Sequence, residues 1–192
     1  METEETRIDN IRKECHENKF HCYGKSYVYG ERVNMYERRL RIINFIGLIV
    51  PLLFGGYLLT FGTNSINEVA IYIGGAILFV QLFFSAFALV FKWDDELAYS
   101  LEATRDHNLL SQDFKTLGQF PPRSEDDLTI RYNILNEKLK SRNEQDVKHE
   151  LSDKERIKGM RWSLREFKRP CVNCGQIPFS IQKTDCPVCG KY

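Results

Sequence analysis

The chain has 192 residues, with 27 Lys and Arg against 26 Asp and Glu, a net charge of +1, and six cysteines. That near-neutral balance names neither nucleic acid nor an anionic surface as a partner, and the length would suit one or two ordinary domains. Mean hydropathy is negative, but the apolar residues are concentrated in one stretch whose weight the very polar flanks conceal.

Residues 1–41 are a charged N-terminal segment with a hydrophobic rhythm. Ile8, Ile11 and Cys15 are spaced for one helical face, and Tyr29, Val33, Tyr36 and Leu40 recur at i, i+4, i+7 and i+11. The pattern predicts two helical pieces with a break at Gly24 or Gly30, the second running into the apolar stretch. Cys15, His16, His21 and Cys22 are close in sequence, yet on one helix positions 15 and 22 lie two turns apart and 16 and 21 do not face them both. One tetrahedral ion could not be held there without a break, so these four read as small or polar helix-packing residues.

Residues 42–91 contain two uncharged apolar runs, 42–61 and 69–91, joined by Gly62 to Glu68. At about 1.5 Å per residue the runs reach roughly 30 and 35 Å, enough for a bilayer core of about 30 Å. Soluble core helices rarely stay uncharged on every face for five turns. A cleaved signal peptide fits worse, because a long polar segment precedes the first run and a second run follows it. The expectation is a two-helix transmembrane hairpin in a lipid bilayer. Arg38, Arg39 and Arg41 abut the first run and Lys92 ends the second, whereas the connecting loop has no Lys or Arg. The positive-inside rule then places both termini in the cytoplasm, as a multi-pass protein of the inner (cell) membrane.

Each run has a small or polar side. In the first, Asn44, Pro51, Gly55 and Gly62 fall near one stripe; in the second, Ala70, Gly74, Gln81, Ser85 and Ala88 do so. Pro51 should kink its helix, and Gly55 and Gly56 admit a second backbone. These faces either pack the hairpin against itself or line a pore in a homo-oligomer; packing is favoured, since no intramembrane charge marks an ion route. Ser65 and Glu68 have capping-box spacing where the second helix begins.

Residues 92–169 read as cytoplasmic helices. Leu97, Leu101, Leu110, Phe114 and Leu117 suggest an amphipathic helix prolonging the second run, stopped by Gly118, Pro121 and Pro122. Ser124 to Asp127 has capping-box spacing ahead of Leu128, Tyr132, Leu135 and Leu139, which share a face. A loose charged patch, Ser141 to Glu150, precedes a third box, Ser152 to Glu155, and a helix with Ile157, Met160, Leu164 and Phe167 on one side. The run RWSLREFKR makes that helix basic, so it can touch headgroups or nucleic acid, but a solvated face is the simpler reading. His107 and His149 have no nucleophile or acid partner in sequence and read as exposed; no glycine-rich phosphate loop is present, and no enzyme activity is expected.

Residues 170–192 carry the most specific pattern. Cys171, Cys174, Cys186 and Cys189 form C-x2-C-x11-C-x2-C, in which two tight turns each offer two thiolates to one tetrahedral ion. Cytoplasmic termini put these cysteines in a reducing compartment, where metal binding is favoured over disulfides. A single structural Zn2+ is the leading reading, with an iron site or redox-active dithiols as alternatives. Four thiolates close the coordination sphere, so the ion would fold the tail rather than activate water. Gly175 and Gly190 follow each pair, where a turn favours positive φ, and Ile177, Phe179 and Ile181 alternate as in a strand.

The predicted fold class is therefore mainly α: a two-helix transmembrane hairpin, cytoplasmic amphipathic helices and a small C-terminal zinc ribbon. This arrangement resembles the SLATT family. The run NKFHCYGKSYVYGERVNMYERRLRI, together with the terminal cysteine pattern, resembles a mobile-element-associated branch named for that pattern. The resemblance covers almost the whole chain and implies a membrane effector of a bacterial conflict system, oligomerising into a pore when a neighbouring sensor or signalling protein fires. Only the four cysteines carry over residue by residue. The alternative is a membrane-tethered module whose ribbon binds a protein, or less favourably a nucleic acid.

Overall fold

The computed structural model describes residues 4–61 and 68–192, and among them every regular element is helical. Helix α1 spans Glu4–Phe61, α2 Glu68–Val90, α3 Trp93–Gln119, α4 Glu125–Asp146 and α5 Asp153–Glu166, with a 3-10 turn at Val147–His149. The chain divides into two compact units, one of Met1–Glu31 with Ser100–Tyr192 and the other of Arg32–Tyr99.

In the first unit the expected break at Gly24 or Gly30 does not occur, since α1 is continuous. Gly24 serves a crossing instead. A Cβ added there would lie 2.9 Å from the Gly159 carbonyl oxygen, and one added to Gly159 would lie 2.8 Å from that of Gly24. Two glycines thus let the backbones of α1 and α5 touch. Ile11, Cys15 and Cys22 of α1 pack with Leu110, Phe114 and Leu117 of α3 and Leu128 of α4, flanked by Tyr132, Leu135 and Leu139. The i, i+4, i+7, i+11 face of α4 is therefore its packed face. Cys15 and Cys22 are core residues. Burial, with a smaller contribution from Glu14, pushes the Cys15 thiol up to about 11; burial pushes Cys22 up to about 12.

The packed face of α3 differs from the apolar one read in sequence. It comprises Ser100, Ala103, His107, Leu110, Ser111, Phe114, Leu117 and Gly118, whereas Leu101 is exposed. Polar groups are buried there because partners meet them: the Ser111 hydroxyl donates to the Lys19 carbonyl at 3.1 Å. His107, expected to be exposed, is fully buried, its Nε2 2.8 Å from Asp146 Oδ2 and its ring stacked on Tyr29.

The stretch Ser141 to Glu150 is ordered rather than loose. Arg142 is buried and donates to Asp146 at 3.2 Å, to Glu102 at 3.1 Å and to Asp106 at 3.0 Å. Lys25 Nζ reaches Asn143 at 2.7 Å and Asp146 at 3.5 Å. The charged residues of α4 that read in sequence as a loose patch are the ionic side of this core.

Capping boxes divide in outcome. Ser152 and Glu155 exchange both hydrogen bonds and start α5, whereas Ser124 is the N-cap of α4 with no side-chain bond. The Ser65 to Glu68 box falls on Ser65, outside the described residues.

In the second unit a hydrogen bond ties α2 to the later part of α1. Gln81 Nε2 donates to the Gly47 carbonyl at 3.3 Å, and the Arg39 guanidinium lies 5.3 Å from the Trp93 ring centre. The second apolar run is not prolonged as one helix. Lys92 adopts φ +50, ending α2, and α3 starts afresh with Asp94, Asp95 and Glu96 in its first turn, where carboxylates suit the helix dipole. By length and composition one helix among the described residues, α1 over Thr6–Tyr57, is long and apolar enough to cross a membrane; α2 and α3, bent by 46° at their junction, would count as a second only if the pair were one span.

Candidate metal centre

The cysteine tail begins where α5 is forced to stop. Lys168 takes the left-handed conformation, φ +49. The Arg169 amide then donates to the Leu164 carbonyl at 3.0 Å and the Lys168 amide to Arg165 at 3.3 Å, a Schellman closure, with Pro170 barring further helix. Cys171 is thereby delivered directly beside the last turn of α5.

Each Cys-x-x-Cys pair folds as the same knuckle. Gly175 N donates to Cys171 O at 2.8 Å, and Gly190 N to Cys186 O at 2.9 Å. Their glycines are needed for different reasons. Gly175 has φ +67, as expected, but Gly190 is excluded from bearing a side chain by contact, since a Cβ there would overlap Thr184. Between the knuckles Ile177, Phe179 and Ile181 form no strand; Arg161 and the turns hold this segment in place of a sheet partner. Phe179 is almost wholly exposed.

All four sulfurs lie within 4.8 Å of one another. Cys171 Sγ is 3.9 Å from Cys186 Sγ, and Cys174 Sγ 3.8 Å from Cys189 Sγ. Bonds of about 2.3 Å from a tetrahedral ion would set its sulfurs about 3.8 Å apart, whereas a disulfide needs about 2 Å. The donor set therefore fits one thiolate-ligated metal ion. Cys171 and Cys189 are buried against Phe20 and Leu164, with Met160, Phe167, Cys186 and Val188 alongside. The centre is seated on the apolar side of α1 and α5, and its Cys174 edge faces solvent.

The two ends of the second pair ionise unequally. At Cys186 a desolvation penalty is outweighed by the backbone amides of Cys189 and Val188 and by the Asn173 side chain, bringing the thiol down to about 6. Burial and the three neighbouring sulfurs push Cys189 up; a bound cation would reverse that second effect. Two contributors are absent from the cysteine pattern. Asn173 Nδ2 lies 3.5 Å from Cys186 Sγ. Arg161, in the run expected to be solvated, is buried and bonds to the ribbon. The only trace of Arg161 in sequence is its position beside Met160 on the packed side of α5.

The other residues singled out in sequence are far from this cluster in chain and chemistry. Within the second unit Gly55, Gly74, Gln81 and Ser85 are half-buried and Ala88 is buried, while Asn44 and Pro51 are exposed. The N-terminal Cys15, His16, His21 and Cys22 do not converge; among the described residues the four C-terminal cysteines form the metal-competent group.

The fold and the site define a mainly helical protein with a tetracysteine tail that could hold one metal ion. The family model described as Mobilome CxxCx(11)CxxC protein matches residues 12–192, and the chain belongs to that family. No curated protein and no solved structure matches the chain.

Proposed function

We propose that this protein is a multi-pass membrane effector in which residues 42–61 and 69–91 cross the bilayer as a hairpin with both termini cytoplasmic. Copies assemble through the hairpin and open a pore when a partner signals to the cytoplasmic helices and ribbon. The observation that carries the membrane reading is the apolar surface of the second unit. Leu52, Leu59, Leu82 and Val90 are 62, 90, 71 and 75 % exposed, an arrangement costly in water but suited to lipid or to neighbouring copies. The arginines before the first run and Lys92 after the second support the orientation. The likeness to SLATT effectors supports the pore. The ion in the tail is read as structural Zn2+: four thiolates, closed coordination and cytoplasmic exposure favour it.

A second reading has its own observation. Gln81 is bonded to Gly47 across the hairpin, which is what a packing residue does, so the hairpin serves as an anchor and the ribbon binds a protein. Expression in bacteria with a membrane-potential dye separates the two. The pore reading expects depolarisation that Gln81→Leu or Gly74→Leu blunts and that replacing residues 42–91 with an unrelated two-helix anchor abolishes. Unchanged potential at full membrane expression, with the activating partner present, would sink the pore. Retained activity after the anchor swap would establish the tether.

A further inference from the structure

Arg161 is an unusual residue to find in a core. It is 6 % exposed, and every hydrogen bond it makes goes to the cysteine ribbon. Nε donates to Ser180 O at 2.7 Å, and Nη1 donates to Cys189 O at 2.9 Å and Thr184 Oγ1 at 3.4 Å, with Cys189 Sγ 3.9 Å from the same nitrogen. Among the described residues no Asp or Glu pairs with it. Asp185 lines the same cavity of about 400 Å³ without forming an ion pair.

A guanidinium stays charged under all conditions a fold survives, and burying it without a counter-charge is strongly destabilising. A protonated thiol offers it no charge, and the sulfur nearest to it, Cys189 Sγ, lies 3.9 Å from Nη1. Four thiolates around a divalent ion carry −2 in total, four negative charges less two positive, and thiolate sulfur accepts hydrogen bonds. A loaded metal centre would therefore supply the charge that balances Arg161.

We propose that Arg161 is the counter-ion and positioning residue of the metal–tetrathiolate centre, linking metal occupancy to the seating of residues 170–192 on α5. This rests on the reading of the four cysteines as metal ligands. The residue acts in two ways. Its charge offsets part of the repulsion among four thiolates, as outer-shell groups do at metal sites. Its planar fork holds the carbonyls of Ser180 and Cys189 together, which fixes the loop that brings Cys186 and Cys189 to Cys171 and Cys174. The ribbon has no strand of its own, so this bridge from a helix performs the task that sheet pairing performs elsewhere.

The test uses the full-length chain purified in detergent and loaded with zinc, as wild type, Arg161→Met, Arg161→Lys and Arg165→Met. Arg165 lies over the Trp162 ring on the same helix and serves as the control. Metal content is measured by mass spectrometry, zinc affinity by competition with a chromophoric chelator, and metal release by acid titration. Wild type and Arg165→Met are expected to hold one ion with equal affinity. Arg161→Met should bind roughly 10–100-fold more weakly, the usual cost of losing an outer-shell partner, and release metal at a higher pH, because protons compete better for less stabilised thiolates. Arg161→Lys keeps the charge and loses the fork, so it should fall between. Wild-type affinity and release pH in Arg161→Met would overturn the proposal. Should that variant fail to fold, Arg161→Lys decides: measurable weakening supports the proposal and wild-type behaviour overturns it. A wild-type protein with no stoichiometric metal would overturn the metal reading itself, a result distinct from loss in the variants alone.

Discussion

The close contact of α1 with α5 makes two chemically identical substitutions differ in their effect on stability. In a helix interior Gly→Ala gains about 1 kcal/mol, from lower unfolded-chain freedom and better propensity. At Gly30 that gain should be realised, because the added Cβ would sit 3.8 Å from Thr104 Cγ2, an ordinary contact. At Gly24 the same methyl would lie 2.8 Å from Ser163 Oγ and 2.9 Å from the Gly159 carbonyl. Neither neighbour yields easily: the carbonyl is part of α5, and the Ser163 hydroxyl donates to Phe20 O at 3.0 Å. Overpacking of this kind costs about 1–3 kcal/mol, so Gly24→Ala should be less stable than Gly30→Ala by about that amount. At about 2–4 °C per kcal/mol for a chain of this size, the two melting points should separate clearly. The chain has two tryptophans, and Trp162 stacks on Tyr27 at 4.0 Å, directly reporting the α1–α5 interface. Thermal unfolding followed by Trp162 fluorescence in a Trp93→Phe background is the assay. Equal melting temperatures for the two variants would refute the account of this crossing.

Two further outcomes follow from the first unit. Burial holds His107 below its usual range despite the bond to Asp146, with Lys25 and Arg142 adding to the depression, so the unfolded chain takes up that proton first as pH falls. Stability from this site is complete above the unfolded value of about 6.5 and is lost as pH drops below it toward the folded value; a melting-temperature profile should steepen there in wild type and flatten in His107→Asn, and identical profiles would contradict the assignment. Ser152→Ala removes a working capping box and should cost about 1 kcal/mol, whereas Ser124→Ala, whose side chain caps nothing, should cost only a few tenths. Chemical denaturation of the two variants checks the contrast, and equal losses would count against it.

Local chemistry was readable in the chain wherever a short pattern suffices. Leu128, Tyr132, Leu135 and Leu139 announce the packed face of α4 because helical period and core face coincide there. Ser152 and Glu155 announce the start of α5. The four cysteines announce a metal-competent cluster, since a pair two residues apart closes a knuckle by itself and the linker need only return. Where a residue's role depends on a distant partner, the pattern misleads. Gly24 looks like a helix break until Gly159 is seen against it. His107 reads as exposed, and Arg142 and Asp146 as part of a loose charged patch, because hydrophobic periodicity cannot register polar groups that satisfy one another. Ile177, Phe179 and Ile181 alternate like a strand, but a strand needs a neighbour, and none stands beside them.

Short-range patterns suffice for the helical character of the chain, its concentrated apolar stretch, the capped start of α5 and the four cysteines that could hold one metal ion. Each follows from residues near one another in the chain. It takes the packing of separate segments to settle that α1 continues through Gly24, that a histidine and an arginine share one buried carboxylate, and that Arg161 turns inward to the cysteine centre. Those are energies of groups that folding brings together, most of them more than a dozen residues apart in the chain, and they take a sign only when folding removes water from between them.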